Sequence, residues 1–195
     1  MVEMEENQKA VYQSYIKEVR QKLYSGEDNK ITVFSYLTKL RQLCLDPSLI
    51  LDDYVGRSDK IEAALNIVNM AIVENRKVLI FSQFTSVLQK LGSELSEKNI
   101  GYLYLDGSTK ANKRVEMVKE FNESEELKIF LISLKAGGTG LNLTSSDLVL
   151  HFDPWWNPAI EDQATDRAHR IGQQNIVEVI KLIAKDSVEE NIIRL

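Results

Sequence analysis

Apolar positions along the N-terminal part of the chain recur with the period of a helix. Val11, Tyr15, Ile16, Val19 and Leu23 form one stripe, and Phe34, Leu37, Leu40, Leu43 and Cys44 form another. Ser25-Gly26-Glu27-Asp28-Asn29 between them has loop composition, so the segment predicts two helices. An extended stretch over 47–53 and a break at Gly56-Arg57-Ser58 follow. After the break, helical stripes alternate with short β-rich runs. Ile61, Leu65, Val68 and Ile72 line a helix before Val78-Leu79-Ile80-Phe81. Helices over 85–98 and 109–121 alternate with Tyr102-Leu103-Tyr104-Leu105 and Ile129-Phe130-Leu131-Ile132. Leu148-Val149-Leu150-His151-Phe152 and Val177-Glu178-Val179-Ile180 complete the series. This alternation predicts an α/β fold, a parallel sheet with helices on both faces, because doubly covered strands read as nearly unbroken apolar runs. Ser187-Val188-Glu189-Glu190 has capping-box spacing and opens a last helix. The expected division is a helical segment over 1–57 and a sheet-bearing lobe over 58–195. That last helix stops so abruptly at Leu195 that the chain reads as part of a longer polypeptide.

Composition narrows the function. The 195 residues are 44% hydrophobic and 27% charged, the balance of an ordinary globular protein. With 24 Lys and Arg against 29 Asp and Glu the formal charge is −5, so nucleic acid must be met by a local patch rather than a global field. No apolar run approaches the roughly 20 residues that span a bilayer, and the acidic N-terminus is unlike a signal peptide. A soluble, intracellular protein without membrane partners is expected. The single Cys44 permits no internal disulfide, and the two histidines, His151 and His169, have no zinc-site spacing.

Ligands of open parallel sheets sit beyond the carboxyl ends of the strands, so the loops there are the candidates. Ser133-Leu134-Lys135-Ala136-Gly137-Gly138-Thr139-Gly140-Leu141-Asn142-Leu143 has three glycines in four positions. It is either a cradle whose N–H groups approach a phosphate or ribose, or a tight turn without a ligand. It is not a Walker A loop, since no Gly-Lys-Ser/Thr follows. In Asp106-Gly107-Ser108-Thr109 the hydroxyls are either helix caps or contacts to a phosphate. Lys110, Lys113 and Arg114 oppose the macrodipole at that helix start, which an anionic partner would reverse.

If the segment from Glu161 to Gln173 is helical, Gln163, Arg167 and Arg170 share one face beside a buried stripe of Ile160, Ala164, Ala168 and Ile171. The arginines then either clamp a polyanion or form weak surface ion pairs with Asp162 and Asp166. Asp153-Pro154-Trp155-Trp156-Asn157-Pro158 puts two tryptophans in a loop, where one packs and the other meets a partner. His169 fits an orienting role better than an acid–base one.

These segments, in this order, resemble the C-terminal RecA-like lobe of the SWI/SNF family of superfamily 2 DNA translocases. Lys77-Val78-Leu79-Ile80-Phe81-Ser82-Gln83-Phe84 resembles motif IV, and Leu105-Asp106-Gly107-Ser108-Thr109 through Arg114 the motif after it. The glycine loop is similar to motif V, with Lys135 where many members have Arg. The tryptophan loop resembles the DPWWNP segment, and Gln163 to Gln173 resembles motif VI. Leu40-Arg41-Gln42-Leu43-Cys44-Leu45-Asp46-Pro47-Ser48-Leu49 is similar to the stretch before this lobe, although many members have Asn-His where Leu45-Asp46 stand.

The resemblance implies that Arg167 and Arg170 reach across an interlobe cleft to the phosphates of ATP. It implies that Gly138, Gly140 and Gln163 lie near the nucleotide, and that Ser108, Thr109, Arg114, Lys135, Trp155 and Trp156 face DNA. The implied partners are double-stranded DNA and an N-terminal RecA-like lobe of the same polypeptide, which would hold Mg2+. The chain has neither a Gly-Lys-Thr phosphate loop nor an Asp-Glu-x-His box. The isolated lobe is therefore expected to be monomeric, inactive in hydrolysis and weak on DNA. The cellular site would be cytoplasm or nucleoid in a prokaryote and nucleus in a eukaryote. Two other readings stand beside this one: a self-contained α/β enzyme using the glycine loop for a mononucleotide, and a non-catalytic protein-interaction module.

Overall fold

Five apolar runs become five strands: β1 (Val78–Ser82), β2 (Tyr102–Leu105), β3 (Ile129–Ser133), β4 (Leu148–His151) and β5 (Glu178–Lys181). The structure, a computed structural model, describes residues 1–25, 29–137, 140–168 and 176–194. The strands form one parallel sheet in the order β2-β3-β1-β4-β5. Every residue of β1, β3 and β4 is buried, as strands covered on both faces must be. Val78 is level with both Ile129 and Leu148, and Phe81 with Ile132 and His151, so the central strands end together and their following loops share one edge. The chain leaves β1 towards β2 and leaves β4 towards β5, in opposite directions across the sheet. The place between β1 and β4 is thus a topological switch point.

By internal packing the chain divides into two units, Met1–Ala63 with Ile183–Leu195, and Ala64–Leu182. The second holds the sheet and the helices α4 (Thr85–Glu97), α5 (Ala111–Glu123), α6 (Leu134–Gly137) and α7 (Pro158–Thr165); the boundary falls within α3 (Asp59–Val73). Its core runs from Leu79, Phe81, Phe130 and Ile132 of the strands to Phe121 of α5 and Ala164 of α7.

The first unit holds α1 (Glu6–Ser25), α2 (Lys30–Leu45) and α8 (Val188–Ile192). Tyr12, Leu40, Leu43, Cys44 and Ala184 make its core. The Gln8 amide donates to the carbonyls of Leu43 and Cys44 at 2.8 and 3.2 Å, joining α1 to the end of α2. Residues 183–185 bond to Val2 on both sides: Val2 N–H donates to Ile183 O, and Lys185 N–H to Val2 O. The wholly buried Lys60 ammonium and Glu189 carboxylate stand 2.6 Å apart, and Glu189 also accepts the Ala184 N–H at 2.8 Å. The residues after Leu182 therefore group with the N-terminal helices.

Three local features depart from the expected pattern. Residues Pro47–Leu49 form a 3-10 turn instead of an extended stretch, because the Asp46 carboxylate accepts the Ser48 N–H at 2.8 Å and turns the chain. The helix of the arginine segment is short, as described below. The capping at α8 is shifted by one residue from the box that the spacing predicts: Ser187 accepts the Glu189 N–H, and Glu190 reaches back to the Asp186 N–H at 2.8 Å. None of the described helices is long and apolar enough to cross a membrane.

Candidate functional site

The loop after β2 folds around Asp106. Its carboxylate accepts the N–H and hydroxyl of Ser108 at 2.9 and 2.6 Å, and the Tyr104 hydroxyl at 2.9 Å. The Ser108 bonds hold the carboxyl below its usual range. Thr109 Oγ1 accepts the Asp106 N–H at 3.1 Å. Neither hydroxyl caps α5, whose N-cap is Lys110 with no side-chain bond and whose first turn carries no acid. That helix start stays open to an anion.

Arg114 reaches back over this loop. Its Nε donates to Thr109 O at 2.8 Å, and its terminal nitrogens to Asp106 O at 3.3 Å, Gly107 O at 3.5 Å and Ala136 O at 3.5 Å. One guanidinium thus ties the loops after β2 and β3 together. A groove of about 530 Å³ between α5 and residues 140–142, lined by Thr109, Arg114, Val115 and Leu141 among others, runs beside them.

After β3 the chain turns straight into α6, where the Ser133 hydroxyl accepts the Ala136 N–H at 3.3 Å and Lys135 is exposed. Gly140 has φ +62°, a left-handed conformation that a side chain would strain. Leu141 and Leu143 then plunge into the core. Leu143 N–H donates to Arg167 O at 2.9 Å, which joins the glycine loop to the arginine segment.

The arginine segment is not a continuous helix. After Thr165 the bonding tightens: Arg167 N–H donates to Ala164 O and Ala168 N–H to Thr165 O, both three residues back. Ala164 and Ala168 are both drawn into the core, and His151 Nε2 pairs with Thr165 Oγ1 at 3.1 Å. Gln163 is therefore exposed on α7, whereas Arg167 lies past its end and only 4% exposed; the face they were expected to share is absent. Gly138, His169, Arg170 and Ile171 lie outside the described residues.

The loop after β4 crosses the switch point. The buried Asp153 carboxylate accepts from the Ser82 hydroxyl and from the Gln83 N–H at 3.3 Å. Trp155 packs against the core, as expected of one of the two tryptophans, and Trp156 is 36% exposed. Asn157 caps α7 through the Ala159 N–H, with Pro158 at the first turn. Sequence reasoning missed Glu161, whose carboxylate accepts the Trp155 N–H at 2.8 Å and pairs with Lys181 of β5. An acid in the first helical turn after proline was the available signal.

A parallel sheet with its glycine, tryptophan and arginine segments at the carboxyl edge is the architecture of a RecA-like lobe. Residues 59–172 match the family described as Helicase conserved C-terminal domain. The chain is 39% identical over 198 residues to an uncharacterized ATP-dependent helicase of Mycoplasma genitalium, a match covering 98% of the chain and 19% of that protein. It is 40% identical over 184 residues to the ATP-dependent helicase FUN30 of Saccharomyces cerevisiae, covering 88% of the chain and 16% of that protein. The SWI2/SNF2 ATPase core of Sulfolobus solfataricus, solved in complex with dsDNA, matches with a TM-score of 0.83 and 32% identity over 100% of the chain and 42% of its own. The C-terminal domain of a Sulfolobus solfataricus SWI2/SNF2 ATPase matches with a TM-score of 0.81 and 29% identity, over 99% of the chain and 81% of its own. The chain belongs to the helicase C-terminal domain family, as the RecA-like C-terminal lobe of the SWI/SNF type. It spans less than a fifth of the length of the FUN30 and Mycoplasma relatives.

Proposed function

We propose that the chain is the second motor lobe of a DNA-dependent ATPase that translocates on double-stranded DNA, supplying Arg167 and Arg170 to ATP bound on a first lobe. The observation that carries this reading is the bond from Leu143 N–H to Arg167 O. It sets the Arg167 main chain beside the end of the glycine loop, which supports an arginine at that edge. Arginine stays charged at any physiological pH and stabilises charge on a transferring phosphoryl group, which fits it for this role and excludes it as a base. Hydrolysis of ATP, with Mg2+ held on the first lobe, supplies the free energy; Gly138, Gly140 and Gln163 border the nucleotide. The relation between the lobes then governs turnover, since an arginine donated across a cleft acts only when the cleft is closed.

On this reading Ser108, Thr109, Lys135, Trp155 and Trp156 contact the DNA, and Arg114 shapes the loop that presents Ser108 and Thr109. The open start of α5, with Lys110 exposed beside it, supports a phosphate contact there. The isolated chain is inactive, because it has no phosphate loop of its own.

Arg170→Ala in the full two-lobed polypeptide tests the assignment. Turnover should fall by about three powers of ten, the usual worth of such an arginine, with the unfolding midpoint unchanged. Turnover that survives the change would favour a protein-interaction surface instead.

A further inference from the structure

Two carboxylates fix the tryptophan loop, one at its start and one at its middle. Asp153 ties its start to the end of β1, through Ser82 and Gln83. Its middle is held differently. Glu161, on the first turns of α7, turns back six residues so that Oε1 accepts the Trp155 N–H at 2.8 Å, while Oε2 pairs with the Lys181 ammonium of β5. The Glu161 side chain is 4% exposed, and Lys181 is 41% exposed. A buried carboxylate is costly unless its charge and lone pairs are met, and an apolar side chain would fill the same space without that cost. Here both oxygens are engaged, and each reaches a different element. The carboxylate links the loop, α7 and β5.

What it holds is the main chain beneath the exposed ring. Trp155 packs on the core, and the Trp156 ring lies against it with centroids 5.5 Å apart and a 49° tilt. The peptide that Glu161 grips lies one residue before Trp156, so that hold bears on where the Trp156 ring leaves the surface. We propose that Glu161, braced by Lys181, is the positioning residue of the tryptophan loop, presenting Trp156 to the DNA backbone. The DNA part rests on the functional reading above; the positioning part does not.

Two measurements separate them. The first is backbone amide exchange in the 195-residue chain carrying Glu161→Ala or Glu161→Gln. Loss of a charge-assisted acceptor should speed exchange of the Trp155 amide about tenfold in Glu161→Ala. Glutamine keeps an acceptor oxygen and should restore most of the protection. The Phe152 amide, bonded to Phe81 O at 2.8 Å, is the internal control and should not change. Unaltered exchange at Trp155, equal effects of alanine and glutamine, or equal acceleration at Phe152 would overturn the positioning role. The second is DNA-stimulated turnover of the full two-lobed polypeptide. Glu161→Ala should raise the half-saturating concentration of double-stranded DNA about tenfold, the cost of re-ordering one anchored contact, and Glu161→Gln much less. A fall in turnover at saturating DNA with no change in half-saturation would overturn the presentation to DNA. If the unaltered polypeptide shows no stimulation by DNA, the functional reading fails, and amide exchange still decides the role of Glu161.

Discussion

His151 closes β4 from inside the protein, 1% exposed, its ring stacked on Phe81 at 5.7 Å. Burial lowers its pKa from 6.5 to about 4; Lys181 adds to the shift, and Glu161 and Asp162 oppose it without cancelling it. The native state therefore keeps a neutral imidazole between pH 6.5 and about 4, where the unfolded chain takes up a proton. Stability contributed in this way is full above 6.5 and is lost as the pH falls, by at most about 1.4 kcal/mol per unit. Unfolding free energies of the chain across that window should fall more steeply for the natural sequence than for His151→Phe. Equal slopes would show that the ring is protonated in the folded state. Burial keeps Cys44 neutral as well, but by the opposite shift: it pushes the thiol up to about 12, so Cys44 is a core residue rather than a nucleophile.

At the scale of elements, the last helix is secured to the N-terminal unit by charge as well as by packing. Lys60→Met would leave the Glu189 carboxylate buried beside only the Ala184 N–H. Denaturant unfolding should show a loss of about 3 kcal/mol for that change. Lys60→Met with Glu189→Gln should recover most of it, because the amide oxygen still accepts from Ala184. A loss below about 1 kcal/mol for Lys60→Met alone would mean that water reaches the pair.

Elements built on periodicity were legible in the sequence, and those built on single bonds were not. Val78–Ser82 and Ile129–Ser133 read as strands because burial on both faces leaves no polar alternation. The end of α7 escaped notice because the apolar spacing continues to Ala168 while the backbone has already tightened after Thr165. The turn at Pro47–Leu49 depends on one Asp46 bond, and the grip of Glu161 on Trp155 has no periodic signature. In the site, the loops were found from their glycines, tryptophans and hydroxyls. The partners of those groups, Asp106 two residues before Ser108 and Glu161 six after Trp155, lie close by in the chain, but a single bond of this kind leaves no repeating pattern to read.

Over the whole molecule, the charge of −5 and the absence of a phosphate loop set what one lobe can do. DNA affinity that rests on a few cations around Lys110 and Lys135 is expected to be weak, because few counterions are released. Arginines without a nucleotide-binding partner have no phosphoryl group to stabilise. Both properties are expected to appear when the first lobe is joined. The most direct measurement is ATP turnover, with and without double-stranded DNA, by this chain and by the polypeptide extended upstream through its first lobe. Activity in the extended form alone, raised by DNA, is the predicted result. Turnover by the 195-residue chain itself would contradict the account, since it would mean a complete catalytic site within these residues.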